Sequence, residues 1–161
     1  MMPLTETSLV HQIIHLYKYE YIESLEPVLE VYITSFFATY RMPFADFIVP
    51  VPLHPKRFVE RGFNQSERIA RMVSRVTGIP LLDPLKRVVH TIKQATLDRR
   101  GREMNVRNAF AVQKEYAFLL AQKNVVLIDD VYTTGSTLRE CASALKTANV
   151  REISGWSIAR G

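Results

Sequence analysis

The sequence is poor in cysteine and has no long apolar run. Cys141 is the only cysteine in 161 residues, which excludes an intramolecular disulfide and a cysteine-rich zinc site. No apolar run approaches the roughly 20 residues of a membrane span. The N-terminus MMPLTETSLV lacks the basic and apolar regions of a signal peptide. We therefore expect a cytoplasmic protein, and the length fits one domain over residues 1–161.

Positive charge is concentrated in the middle of the chain. From Lys56 to Arg107 there are 13 Lys and Arg against 5 Asp and Glu, whereas the remainder has 8 basic and 11 acidic residues. A local surplus of this size indicates anionic partners rather than a particular fold. Those partners are either the phosphates of a small molecule or those of nucleic acid.

The hydrophobic pattern predicts an α/β fold. Apolar spacing predicts helix within residues 5–37 and from about Asn64 to Gly78, and a near-continuous apolar strand at 124–129 is typical of a strand buried on both faces. The other predicted elements are short strands at 47–53 and 109–112, a long surface loop around 91–105, a helix after 136 and a strand at 152–158. Strand, helix and strand with short joins form a βαβ unit, so the sheet should be mostly parallel.

Two acids and a run of hydroxyl residues follow the strand at 124–129, in the stretch VVLIDDVYTTGSTL. Ligands of open α/β sheets bind outside the carboxyl ends of the strands. Asp129 and Asp130 stand at such an end and should face different ways, because side chains alternate along a strand. Carboxylates there can accept hydrogen bonds from the vicinal hydroxyls of a ribose, or hold a hard cation through water.

The hydroxyl run opens a helix, and a helix N-terminus suits a phosphate group. Gly135 permits a positive φ and close approach of the backbone. The side-chain donors are Thr133, Thr134, Ser136 and Thr137. The stretch lacks the lysine of a P-loop. A simpler alternative is that Ser136 caps the helix and the two acids close a turn.

The stretch VVLIDDVYTTGST resembles the signature with which type I phosphoribosyltransferases bind 5-phosphoribosyl 1-pyrophosphate (PRPP). The resemblance implies that Asp129 and Asp130 meet the ribose hydroxyls, that residues 133–137 bind the 5-phosphate, and that Mg²⁺ bridges ribose and pyrophosphate oxygens. Members that act on 6-oxopurines have an aspartate where this sequence has Thr133. That substrate class is therefore disfavoured.

Two further blocks, PVPLHPKRFVERGFNQSERIAR at 50–71 and QATLDRRGREMNVRNAF at 94–110, resemble the ComF family, which is related to DNA uptake during competence. The resemblance covers residues 16–160. It implies a type I phosphoribosyltransferase-like fold, with a mostly parallel central sheet flanked by helices, a small hood and a flexible loop. Family members commonly begin with a four-cysteine zinc module that this sequence lacks, so we expect a shortened member or a separate catalytic domain.

Cations in the first block are candidate pyrophosphate ligands. Lys56, Arg57 and Arg61 lie near prolines that stiffen a strand end, and fixed cations stabilise the charge that develops on a leaving pyrophosphate. Asn64 is either an amide donor to the ligand or the cap of the following helix.

The second block would be the loop that closes over PRPP. By the resemblance, Gln94 binds pyrophosphate, and Arg102 joins Asp129 and Asp130 as a catalytic residue. Closing such a loop excludes water from the reacting centre. A solvated charged loop is the alternative interpretation.

Two functions are compatible with these residues. The first is Mg²⁺-dependent transfer of the 5-phosphoribosyl group from PRPP to an unidentified acceptor, with release of pyrophosphate. The second is a non-catalytic module that senses PRPP or binds single-stranded DNA or a DNA-uptake helicase. Only Phe58 and Phe63 are aromatic in the basic segment, whereas single-strand binders usually stack bases on several aromatic side chains. A homodimer is a further open alternative.

Overall fold

The computed structural model describes residues 25–88 and 109–160. The elements in chain order are α1 (Glu26–Thr39), β1 (Phe47–Pro50), α2 (Pro55–Arg61), α3 (Gln65–Thr77), β2 (Leu85–Arg87), β3 (Phe110–Val112), a 3₁₀ turn (Lys114–Tyr116), α4 (Ala117–Leu120), β4 (Asn124–Tyr132), α5 (Ser136–Lys146) and β5 (Glu152–Arg160). The predicted α/β class is confirmed. Within the described ranges, no helix is long and apolar enough to cross a bilayer.

β4 is the central strand of a parallel sheet with the order β1-β4-β5. Pro50 of β1 pairs with Ile128, and Asp129 pairs with Ser157 of β5. The carboxyl ends of all three strands therefore meet at one edge of the sheet. β2 and β3 form a separate antiparallel pair, in which Arg87 stands opposite Phe110.

Successive residues of β4 belong to two different cores. Val126 and Ile128 pack with α1 and α3 on one face of the sheet. Val125 and Leu127 pack with α5 and the β2–β3 pair on the other face. Both faces of the strand are thus covered, which explains its near-continuous apolar sequence.

α3 begins and ends where its sequence predicts. The Oδ1 atom of Asn64 accepts the N–H of Ser66 at 3.1 Å, so Asn64 is an N-cap, and Gly78 ends the helix with φ 74°. The apolar face of the helix is buried through Ile69, Met72 and Val73. The predicted boundaries of α3 are confirmed.

Three elements differ from the sequence predictions. Residues 55–61 form the short helix α2 within a segment that we expected to be a proline-stiffened loop. β4 continues to Tyr132 rather than ending at 129, so the join to α5 is only Thr133–Gly135. Leu85–Arg87 pair with β3 as a strand that was not predicted, and the loop expected around 91–105 lies outside the described residues.

Candidate functional site

The ends of β1 and β4 lead into neighbouring turns at one edge of the sheet. The N–H of Val51, directly after β1, donates to the carbonyl oxygen of Ile128 at 2.9 Å. The segment 51–54 then leads into α2, while residues 133–135 lead from β4 into α5. Both candidate phosphate segments therefore flank Asp129 and Asp130.

The start of α5 is shaped by Gly135. This residue is the buried N-cap of the helix, with φ 70° and without a capping side chain. Thr134 Oγ1 accepts the N–H of Ser136 at 3.4 Å and lies 3.0 Å from Ser136 Oγ. Ser136 is the first helical residue, so the alternative in which Ser136 caps the helix is wrong.

The hydroxyl side chains around this helix start are accessible. Thr133, Thr134 and Ser136 are exposed, and Thr137 is half-buried. The first N–H groups of a helix lack intrahelical acceptors. Amides and hydroxyls therefore converge at a place where an anion can bind.

Asp129 is held by the first turn of α3. The Oγ atom of Ser66 donates to Asp129 Oδ1 at 3.1 Å, and the same oxygen accepts the N–H of Asp130 at 2.9 Å. Ser66 is only 5% exposed, so this contact is sheltered from solvent. Ser66 was not among the predicted site residues, and its position directly after Asn64 and Gln65 in the first block was the only signal in the sequence.

Asn64 connects α3 to the segment after β1. Besides capping the helix, Asn64 donates from Nδ2 to the carbonyl oxygen of Val51 at 3.0 Å. The interpretation of Asn64 as the helix cap is therefore confirmed, and its amide group donates to the protein backbone. The contact fixes the turn that follows β1.

The three predicted cations of the first block are carried by α2. Lys56 and Arg57 are exposed in the first turn, whereas Arg61 is half-buried and its Nη1 donates to Gln65 Oε1 at 3.3 Å. A surface depression of about 400 Å³ is lined by His54, Lys56, Arg57, Glu60 and Arg61. Cations outnumber acids in this depression, which suits an anionic ligand.

His54 is the N-cap of α2 and faces the same cations. Its Nδ1 accepts the N–H of Lys56 at 3.1 Å, which leaves the ring proton on Nε2. Burial lowers the pKa of His54, and the charges of Arg87, Arg57 and Lys56 lower this pKa further. The imidazole is therefore a neutral hydrogen-bond donor at pH 7.

Cys141 is part of the core behind the site. The side chain is completely buried, and burial, followed by the charge of Asp129, raises the pKa of this thiol. Among residues 25–88 and 109–160, no group of three or more His, Cys, Asp and Glu side chains is close enough to hold a metal ion. Gln94 and Arg102, which we assigned from the resemblance, lie outside the described residues.

Comparisons with known proteins point to one family. The family profile described as phosphoribosyl transferase domain matches residues 76–158. Competence protein F of Haemophilus influenzae is 38% identical over 126 residues, covering 76% of this chain and 53% of that protein. DNA utilization protein YhgH of Escherichia coli K12 is 30% identical over 153 residues, covering 94% of this chain and 66% of that protein.

The chain thus spans about half to two thirds of the length of these relatives. A solved structure of the allosteric regulatory enzyme of purine biosynthesis has a similar fold, with a TM-score of 0.55 and 19% identity. That match covers 83% of this chain and 26% of the enzyme chain. The likeness supports the fold alone.

Proposed function

Because the chain belongs to the ComF family of type I phosphoribosyltransferase-like proteins, we propose that it binds PRPP at the ends of β1 and β4 and transfers the 5-phosphoribosyl group to a nucleophilic acceptor. The observation that carries this proposal is the fixed position of Asp129. Its carboxylate is held by Ser66 at the carboxyl end of β4, the sheet edge from which the segments leading to α2 and α5 depart. Residues 1–161 would form one such domain.

PRPP has an anionic group at each end and a diol between them, and the proposed site has the same order. Residues 133–137 at the start of α5 would bind the 5-phosphate through amides and hydroxyls. Asp129 and Asp130 would accept the ribose hydroxyls. Lys56, Arg57 and Arg61 of α2 would bind the pyrophosphate, with Gln94 assigned to the same group by family resemblance.

The proposed reaction exchanges one bond at C1′ of the ribose. The bond from C1′ to the pyrophosphate oxygen breaks, pyrophosphate leaves with the bonding electron pair, and the acceptor supplies the pair for the new bond. Lys56 and Arg57 would stabilise the charge that develops on the leaving group. Holding both ends of PRPP also fixes C1′ for attack. Arg102 is assigned to catalysis by resemblance.

Mg²⁺ is the cofactor that we propose. Adjacent carboxylates are hard oxygen ligands, which suit this ion. Because the described residues offer no group of three or more metal-binding side chains, Asp129 and Asp130 would hold the ion mostly through water and the oxygens of PRPP. When bound, the ion would supply positive charge next to the ribose and pyrophosphate oxygens.

Calorimetric titration of PRPP, with and without Mg²⁺, tests the site. We expect the wild-type protein to bind PRPP more tightly with Mg²⁺, and Asp129→Asn and Asp130→Asn each to weaken binding. Glu152→Gln is the matched control, because Glu152 is an exposed acid at the opposite, amino end of β5. Absence of PRPP binding by the wild-type protein would overturn the proposal.

Pyrophosphate release separates an enzyme from a sensor. In a panel of amine, amide and nucleobase acceptors, we expect at least one to stimulate pyrophosphate release by the wild-type protein but not by Asp130→Asn. Tight PRPP binding without release from any acceptor would favour the sensor.

A second proposed function is contact with single-stranded DNA. It is supported by the basic segment from Lys56 to Arg107 and by the relatives named for competence and DNA utilization. Phosphate contacts by Lys and Arg make affinity fall with salt. Salt-dependent binding of an oligonucleotide that persists in Asp129→Asn would indicate a site separate from the PRPP site. Absence of such binding would remove this candidate.

A further inference from the structure

Arg87, the last residue of β2, is a half-buried cation close to both α2 and α5. Burial, and then the charge of Arg57, lower the pKa of Arg87. Arg87 in turn opposes the rise in the pKa of Cys141 that burial and Asp129 produce. Since such effects fall off with distance, the guanidinium is near Arg57 of α2 on one side and near Cys141 of α5 on the other.

One donor of this guanidinium is buried without a partner. The Nε atom of Arg87 has no hydrogen-bond acceptor within the described part of the chain. A buried donor that lacks an acceptor is costly, and a charged one is especially so. Within the described residues, the hydrogen-bonding capacity of this donor is therefore unused.

The neighbours orient the guanidinium without neutralising its charge. Its central carbon lies 5.4 Å from the ring centroid of Phe110, which stands opposite Arg87 in the β2–β3 pair. Among the described residues, the groups that shift the pKa of Arg87 are Arg57 and the Cys141 thiol, and neither is a carboxylate. Three cations, Arg87, Arg57 and Lys56, thus surround His54 against a single acid, Glu60.

We propose that Arg87 binds the pyrophosphate group of PRPP from β2, while Lys56 and Arg57 bind it from α2. This inference rests on the proposed PRPP site and adds to it a residue that the ComF and PRPP motifs did not indicate. A guanidinium presents several donors in one plane and so can bind two phosphate oxygens at once. The anion would offset the repulsion among the cations, and a rotation of the side chain would let Nε reach one of its oxygens.

The test separates the two ends of PRPP. Inorganic pyrophosphate, ribose 5-phosphate and PRPP are titrated separately, with Mg²⁺, into wild type, Arg87→Met, Arg87→Lys and Lys86→Met. Lys86 is a matched control because it is the exposed neighbour on the same strand. We expect Arg87→Met to weaken pyrophosphate and PRPP binding roughly ten- to a hundredfold. Ribose 5-phosphate binding should stay within about threefold, and Lys86→Met should bind all three like wild type.

Stability of the ligand-free variants separates a binding role from a structural one. If Arg87 serves the ligand, Arg87→Met should unfold at the same denaturant concentration as wild type or at a higher one, because it removes a half-buried charge whose Nε has no acceptor among the described residues. Marked destabilisation, or equal losses of pyrophosphate and ribose 5-phosphate affinity, would show a structural role and overturn the inference.

Two further outcomes complete the test. If Arg87→Met does not fold, the test relies on Arg87→Lys, because Lys keeps the charge but lacks the planar group of donors. Wild-type pyrophosphate affinity in that variant would then overturn the inference. Wild-type protein that binds neither PRPP nor pyrophosphate would instead refute the proposed function itself, whereas unchanged binding by Arg87→Met refutes only the role of Arg87.

Discussion

Substitution of Gly135 by alanine probes both the fold and the proposed phosphate site. Gly135 has φ 70°, and a Cβ atom there would lie 2.8 Å from Cε2 and from the hydroxyl oxygen of Tyr132. Two separate costs are therefore expected. One comes from the left-handed backbone conformation, and the other from displacing the tyrosine ring.

A second glycine allows the two costs to be measured separately. Gly78, at the end of α3, has a similar φ of 74° but no atom within 4 Å of the Cβ position. Gly78→Ala should therefore lower the free energy of unfolding by the backbone cost alone, about 1–2 kcal/mol. Gly135→Ala should cost about 1 kcal/mol more, because Tyr132 must leave its preferred rotamer. Combining it with Tyr132→Ala should remove this excess.

Denaturant unfolding of these three variants, with Tyr132→Ala alone as the reference for the double substitution, measures these free energies, and PRPP titration measures the effect on the site. We expect Gly135→Ala to weaken PRPP binding by at least about tenfold, which corresponds to about 1.4 kcal/mol, and Gly78→Ala to leave it unchanged. Equal stability losses for Gly78→Ala and Gly135→Ala would refute the argument from the tyrosine ring. Unchanged PRPP affinity in Gly135→Ala would refute the assignment of the 5-phosphate to this turn.

Three further predictions concern the surroundings of the site. Ser66→Ala should lower PRPP affinity several-fold, whereas Ser66→Thr, which keeps the hydroxyl that holds Asp129, should retain it; equal titrations of both variants would contradict this role. Cys141 should not react with a thiol reagent until the protein unfolds, because it is buried and its pKa is raised; fast labelling of folded protein would contradict the structure. His54 has a pKa below its ordinary 6.5, so its contribution to stability is present above that pH and is lost as the pH falls through the folded-state value. Unfolding measured between about pH 7.5 and 5 should therefore show a loss of stability that His54→Asn reduces, and identical profiles would exclude this cause.

Elements with local signals were predictable from the sequence. The strand β4 has a continuous apolar run because both of its faces are covered, and α3 carries an Asn cap and a final Gly. The parallel βαβ unit of β4, α5 and β5 was predicted from the short joins between its elements. The stretch from Asp129 to Ser136 could be placed at the end of a strand because strand, turn and helix are consecutive in the sequence.

α2 was not predicted because the residues at its start, His54 and Pro55, are compatible with a loop as well as with a helix. Proline was interpreted as a residue that stiffens a loop, but Pro55 stands at the first helical position, where its missing N–H costs nothing. The cap is His54, which accepts through Nδ1, and histidine is not among the usual capping residues. As a result, Lys56 and Arg57 are held by a helical turn rather than by an irregular loop.

Contacts between distant parts of the chain could not be derived from local patterns. β2 has only three residues and forms because β3 pairs with it, more than twenty residues later in the sequence. The hydrogen bond from Ser66 to Asp129 joins residues 63 positions apart. Arg87 resembles any other cation of the basic segment until this pairing brings it near α2 and Cys141.

The start of α3 connects the segment after β1 to Asp129, the two parts of the proposed PRPP site. Asn64 holds the turn after β1 through the carbonyl oxygen of Val51, and Ser66, two residues later, holds the carboxylate of Asp129. Because a helix is rigid over two residues, the proposed pyrophosphate segment and ribose acid are fixed relative to one another. Groups that are already in position when a ligand binds need no reorganisation during a reaction. The sequence FNQS of residues 63–66 is therefore best interpreted as the connection that aligns both halves of the site.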